Sequence, residues 1–126
     1  MTVQTILHIE DNEILIRLIA RVVQKNTAFQ YIWATDGPKG YEMAIEHIPD
    51  LIIMDIYLPT DNGVEWAKKL KLNPKTKHIP IMALTAGTAT LTRWEIPLGT
   101  FAMFLRKPIA NDDLMHKISQ ILRTSN

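Results

Sequence analysis

No cysteine occurs among the 126 residues, which excludes disulfides and thiolate chemistry and agrees with a reducing cytosol. Charge of one sign is also lacking: 14 Lys and Arg against 13 Asp and Glu give a net charge of +1. Neither nucleic acid nor a membrane surface is therefore expected as an electrostatic partner. No apolar run approaches the roughly 18 residues that span a bilayer. The start, "MTVQTILHIEDNE", shows no basic stretch followed by a long apolar one, so no signal peptide is expected and the protein reads as cytoplasmic. Internal repeats, low-complexity stretches and linkers are missing too, so a single domain is expected over residues 1–126. What is present, 47% apolar and 21% charged residues, is ordinary for a folded globular chain.

Short apolar runs alternate with amphipathic segments. "TILHI" (Thr5–Ile9), "YIWA" (Tyr31–Ala34), "LIIM" (Leu51–Met54), "IPIMALT" (Ile79–Thr85) and "AMFLR" (Ala102–Arg106) read as strands. Between the first two, "EILIRLIARVVQKN" places Ile14, Leu15, Leu18, Ile19, Val22 and Val23 at helical spacing. Asp11 or Asn12 can cap that helix and Asn26 can stop it. Further helices are expected over "PKGYEMAIEHI", near "VEWAKKLKL", and over "NDDLMHKISQILR", where Asn111 is the natural cap and Leu114, Ile118, Ile121 and Leu122 share a face. Continuously apolar strands alternating with helices predict an α/β fold: a doubly wound, five-stranded parallel sheet covered on both faces. Its expected strand order is the flavodoxin-like 2-1-3-4-5. Pro97 and Gly99 in "GTATLTRWEIPLGT" make the fourth helix short or irregular.

In such a sheet, ligands bind beyond the carboxyl ends of the strands. There the sequence puts Glu10 and Asp11 after the first strand, Asp55 after the third, Thr85 at the end of the fourth and Lys107 after the fifth. Crowded carboxylates repel one another, and a hard cation relieves that repulsion. Oxygen ligands without cysteine or clustered histidine select Mg²⁺, which keeps open positions for phosphate oxygens. An ammonium and a hydroxyl beside it suit a phosphoryl group, which a carboxylate such as Asp55 can accept as an acyl phosphate.

Four motifs, "EDN" (Glu10–Asn12), "PDLIIMDIYLPTDNG" (Pro49–Gly63), "ALTA" (Ala83–Ala86) and "FLRKPI" (Phe104–Ile109), occur in the order and with the separations of a known family. The chain resembles the receiver domain of bacterial two-component response regulators, of the stand-alone, single-domain type. The resemblance implies a signalling switch rather than a turnover enzyme. It makes Asp55 the phosphoacceptor, served by a phosphohistidine on a sensor histidine kinase or a histidine phosphotransfer protein. It implies that Asp11, Asp55 and the Tyr57 backbone carbonyl bind Mg²⁺, with Glu10 acting through a metal-bound water. Thr85 and Lys107 are implied to hold phosphoryl oxygens, Ala86 to leave room for them, and Phe104 to occupy the switching aromatic position. A cis peptide is implied at Lys107-Pro108. The downstream protein stays unnamed.

Three other readings compete. A pseudo-receiver would keep the fold and act by contact without phosphorylation. A haloacid dehalogenase-type phosphatase would place two aspartates in D-x-D after the first strand, where Glu10-Asp11 stands. A flavin carrier would need a Thr/Ser/Gly-rich loop there, which "EDNEIL" is not. Two neighbours bear on timing: Tyr57 is expected to stand over the phosphoryl group, and Gly87 offers no side chain to position a water, so slow hydrolysis is expected. His8, His47, His78 and His116 share no ligand spacing and read as structural or surface residues. Trp33, Trp66 and Trp94 read as packing residues, Trp94 becoming a partner anchor if it turns outward.

Overall fold

The computed structural model describes residues 3–58, 61–85 and 96–124. Among these, five strands form one parallel sheet: β1 (Gln4–Ile9), β2 (Phe29–Ala34), β3 (Leu51–Asp55), β4 (Ile81–Thr85) and β5 (Met103–Arg106). Their spatial order is β2-β1-β3-β4-β5. The chain leaves β1 toward one edge and returns to its other side with β3, so the order reverses between these two strands. Four helices accompany the described strands: α1 (Glu13–Gln24), α2 (Gly37–His47), α3 (Gly63–Leu72) and α4 (Asn111–Thr124). After β3, Tyr57–Leu58 pairs antiparallel with Asp61–Asn62 and leads into α3.

Strand alternation sorts the core into two layers. Ile6, Leu51, Ile53, Met82, Leu84 and Leu105 pack with α1 and α4. Leu7, Ile9, Ile52, Met54 and Ile81 pack with α2 and α3. Leu51, Ile52, Ile53 and Met54 are all fully buried, because β3 lies at the centre of a sheet covered on both faces. Each such aliphatic side chain contributes about 1.5–3 kcal/mol on burial. Apolar content without alternation is what this environment demands.

Helix ends follow local chemistry. Asn12, not Asp11, caps α1: its Oδ1 accepts from the backbone N–H of Ile14 at 2.9 Å and Leu15 at 3.2 Å. The helix ends at Lys25, and Asn26 instead accepts from Ala28 N at 2.9 Å in the following turn. Asp36 and Asn62 cap α2 and α3. In α4 the Ala110 carbonyl accepts the first helical bond, from Leu114 N at 3.0 Å, which makes Asn111 the first helical residue rather than the cap. The expected buried face of α4 (Leu114, Ile118, Ile121, Leu122) is buried.

The buried stripe of α1 differs from the expected one. Ile16, Ile19, Val22 and Val23 face the sheet, whereas Ile14 and Leu18 are 70% and 49% exposed. Apolar residues cover more of this helix than one packing surface can hide, and the sheet selects the arc centred on Ile19. Pro80, which has no N–H to donate, stands just before β4, so that strand starts at Ile81 rather than Ile79; the Pro80 carbonyl still accepts from Ile52 N at 3.0 Å.

The expected irregular fourth helix, with Ala86, Gly87 and Trp94, lies mostly outside the described residues, as does Pro59. Residues 97–100 form a turn, closed by Thr100 N donating to the Pro97 carbonyl at 3.2 Å, with Gly99 at φ 87°. Trp66 packs 5.7 Å from the Tyr41 ring between α2 and α3, while Trp33 is half exposed and stacks on Tyr31.

Candidate functional site

The reversal of strand order opens a crevice at the carboxyl ends of β1 and β3. Glu10 shares its side of β1 with Ile6, and Asp55 shares its side of β3 with Leu51 and Ile53. Lys107 continues the side of Leu105. All of these apolar partners belong to the layer under α1 and α4, so alternation delivers two acids and a lysine to the same side of the rim.

There they meet. Lys107 Nζ stands 3.4 Å from Asp55 Oδ1 and 3.6 Å from Glu10 Oε1. Asp55 Oδ1 also accepts from Tyr57 N at 3.2 Å, and Glu10 Oε2 accepts from Asn12 N at 3.2 Å. Glu10 and Asp55 are buried, and Asp11 is exposed at the mouth. One carboxylate oxygen from each of Glu10, Asp11 and Asp55 lies within 4.8 Å of the others.

This crowding governs the site's protonation. Burial, then the negative charge of Glu10, pushes the Asp55 carboxyl up to about 7; Lys107 and the Tyr57 N–H act in the opposite direction. Burial also opposes the charged form of Glu10, but the nearby His8 imidazole and the Lys107 charge together hold its carboxyl below the ordinary value. Two buried acids thus compete for one ammonium. A small divalent cation fits this arrangement: the donors are hard oxygens, they converge, and the burial that disfavours a lone Asp55 carboxylate favours a cation beside it. Asp11 at the rim leaves one side open to water. Glu10, Asp11 and Asp55 are the side chains that could hold it.

The remaining expected site residues fall as follows. Thr85 is buried at the end of β4, and its carbonyl accepts from Lys107 N at 2.8 Å, which ties the ends of β4 and β5 together. The Lys107-Pro108 peptide is cis. Tyr57 is 39% exposed beside the crevice. Phe104 pairs in register with Ala83, on the opposite side of β5 from Leu105; it is 45% exposed, with its ring 5.2 Å from that of Phe101. Ala86 lies outside the described residues.

His8 is the residue whose position the spacing of histidines did not reveal. It is fully buried, with Nε2 3.6 Å from Glu10 Oε1 and Nδ1 2.7 Å from the Tyr31 hydroxyl. Its period-two separation from Glu10 in a strand was the available signal.

A groove of about 510 Å³ opens between α1 and α4. Ile14, Leu15, Leu18 and Ile109 line it, and Asn12 and Lys107 stand at its end nearest the acids.

Known proteins carry the same pattern. The family model described as the response regulator receiver domain matches residues 6–119. The polar-differentiation response regulator DivK of Brucella anthropi is 31% identical over 119 residues, spanning 94% of this chain and 96% of that protein. Among solved structures, the chemotaxis protein CheY4 of Vibrio cholerae superposes with a TM-score of 0.86 at 22% identity, over 95% of this chain and 99% of that one. The receiver domain of sensor histidine kinase PA1611 of Pseudomonas aeruginosa PAO1, solved with a magnesium ion coordinated in its active site cleft, gives 0.86 at 23% identity, over 97% and 99%. The two structures establish the flavodoxin-like fold. With the family model covering nearly the whole sequence, the chain belongs to the response regulator receiver domain family of two-component signalling.

Proposed function

We propose that this receiver domain is a phosphorylation-operated switch whose acceptor is Asp55. The observation that carries the reading is the placement of a buried Asp55 carboxylate between an ammonium and two further acids. In the proposed step an Asp55 carboxylate oxygen attacks the phosphorus of a phosphohistidine on a sensor histidine kinase or histidine phosphotransfer protein. The P–N bond breaks, its electron pair stays on the imidazole, and an acyl phosphate forms. Lys107 pairs with a phosphoryl oxygen, Thr85 donates its hydroxyl to another, and the small Ala86 leaves space. Asp11, Asp55 and the Tyr57 carbonyl would hold Mg²⁺, with Glu10 acting through a bound water, and the ion would supply charge neutralisation for the incoming oxygens. The Tyr57 N–H, already donating to Asp55 Oδ1, keeps the carboxylate oriented.

The groove between α1 and α4 fits the donor. It is apolar, it borders Lys107, and a helical partner seated on Ile14 and Leu18 brings its phosphohistidine over Asp55. Phosphorylation then draws Thr85 toward the phosphate and Phe104 inward, a population shift between two conformers read by a downstream protein. The activity is a switch without an external substrate. The described residues contain no helix long and apolar enough to cross a membrane, and output proceeds by protein contact rather than by nucleic acid.

Labelling by acetyl phosphate or a phosphohistidine donor, followed by mass spectrometry, tests the assignment. Asp55→Asn is expected to abolish labelling while the circular dichroism of the fold persists. Retained labelling in that variant rejects Asp55 as the acceptor.

A further inference from the structure

The chemistry above leaves His8 without a task, yet a histidine buried beside a site acid needs its protons accounted for. Tyr31 contributes one hydroxyl proton and faces two acceptors, His8 Nδ1 at 2.7 Å and the Ile16 carbonyl at 3.3 Å. A neutral imidazole has one N–H and one lone pair. If Tyr31 donated to Ile16, Nδ1 would have to carry the hydrogen. Nε2 would then turn a bare lone pair toward the Glu10 carboxylate, 3.6 Å away and equally buried. If Tyr31 donates to Nδ1, the shorter of its two contacts, the imidazole carries Nε2–H and aims it at Glu10 Oε1. Only this arrangement keeps a bare lone pair from facing the carboxylate, with Nε2 and Oε1 standing 3.6 Å apart, just beyond hydrogen-bond distance. Ile16 lies within α1, where its carbonyl serves the helix ladder.

We infer that His8 is a positioning residue for the cation site: Tyr31 sets its tautomer, and its Nε2–H holds the Glu10 carboxylate toward the crevice. Among the described residues, Glu10 Oε1 and His8 Nε2 are both buried without a hydrogen-bond partner, and His8 Nε2 and Lys107 Nζ each stand 3.6 Å from that oxygen. Once Lys107 turns to a phosphoryl oxygen, His8 is the donor left facing Glu10 Oε1, while the Asn12 N–H stays on Oε2. The inference rests on the site proposed above, and it adds an outer partner of the kind that orients ligating carboxylates.

Two measurements on the full chain test it. Long-range ¹⁵N–¹H NMR of the wild-type imidazoles, without metal and at neutral pH, is expected to show His8 as the Nε2–H tautomer; Nδ1–H overturns the inference. Calorimetric titration with Mg²⁺ is expected to show binding weakened about tenfold in His8→Leu, less in Tyr31→Phe, and largely recovered in His8→Gln, whose amide keeps a donor. Equal affinity in wild type and His8→Leu overturns the positioning role while leaving the cation site standing. Wild-type protein that takes no Mg²⁺ overturns the site itself and the role with it. Should His8→Leu fail to fold, the wild-type spectrum and Tyr31→Phe decide: a Tyr31→Phe variant with unaltered affinity and tautomer rejects the coupling.

Discussion

Lys107 Nζ lies 3.4 Å from Asp55 Oδ1, a contact between the end of β5 and the tip of β3 that reaches across the intervening β4. The lysine is shared, since Glu10 Oε1 stands 3.6 Å from the same nitrogen. It is the cation nearest both buried acids among the described residues.

Replacing it by an isosteric apolar chain isolates that charge. Lys107→Met is expected to slow acetyl phosphate labelling of Asp55 about a hundredfold, the order lost when one donor to a developing oxyanion is removed. Labelling rates by mass spectrometry decide this. A variant that labels at the wild-type rate removes Lys107 from the chemistry.

Stability should carry the mark of the buried acid. In the native state Asp55 titrates near 7, against an ordinary 3.8, so folding disfavours its carboxylate. The resulting cost is absent below about 4, grows as pH rises toward about 7, and is constant above. In the presence of a chelator, Asp55→Asn should therefore gain on wild type across that window. Urea denaturation at a series of pH values measures the gap. Curves that stay parallel from pH 4 to 8 contradict the burial cause. Added Mg²⁺ should narrow the gap.

Tyr57 stands partly exposed two residues after the acceptor, and under the proposed function its ring would obstruct a water approaching in line. Removing an obstruction of about 1.4 kcal/mol corresponds to about a tenfold faster reaction. Tyr57→Ala and Tyr57→Asn should shorten the acyl phosphate lifetime by that order, followed by loss of label after donor removal. Unchanged decay in both means that the ring does not guard the phosphorus.

Donor docking and phosphoryl chemistry should separate on α1. Leu18→Glu puts a charge on the wall of the groove without approaching Asp55. Transfer from a phosphohistidine protein should fall, while acetyl phosphate labelling holds. Equal loss with both donors places the defect in the fold rather than in docking.

Gly63 opens α3 directly behind the acceptor strand. A Cβ there collides with the Asp55 carbonyl oxygen and comes 2.9 Å from Met54 Cγ. Gly63 N also donates to the Ile56 carbonyl at 2.7 Å, so the backbone cannot withdraw cheaply. Gly63→Ala should cost about 1–3 kcal/mol, read from urea midpoints. It should also slow labelling through displacement of Asp55. A neutral substitution shows that α3 can slide.

Much of this molecule was legible one segment at a time. The apolar run at Leu51–Met54, the helical spacing of Leu114, Ile118, Ile121 and Leu122, and the acids that close β1 and β3 are local features. Each records the environment of its own stretch of chain, because burial on two faces forbids polar residues and burial on one face imposes a period. A parallel sheet follows from alternation once the elements are named, whereas the strand order that opens the crevice does not.

Other features depended on how the segments meet. Which arc of α1 is covered, Ile16 rather than Ile14 and Leu18, follows from the position of the sheet under a helix that is apolar over more than one face. His8 looked like one of four scattered histidines until the Tyr31 hydroxyl and the Glu10 carboxylate were found on either side of it. Asp55 reads as an acid in the sequence, and only burial beside the Glu10 carboxylate, against the opposing charge of Lys107, raises its protonation to neutral pH. Sequence by itself determined the elements and their polar tips, because periodicity is a local consequence of burial. The tertiary structure decided the charges and the neighbours, because electrostatic coupling acts across distances in space that the order of residues does not encode.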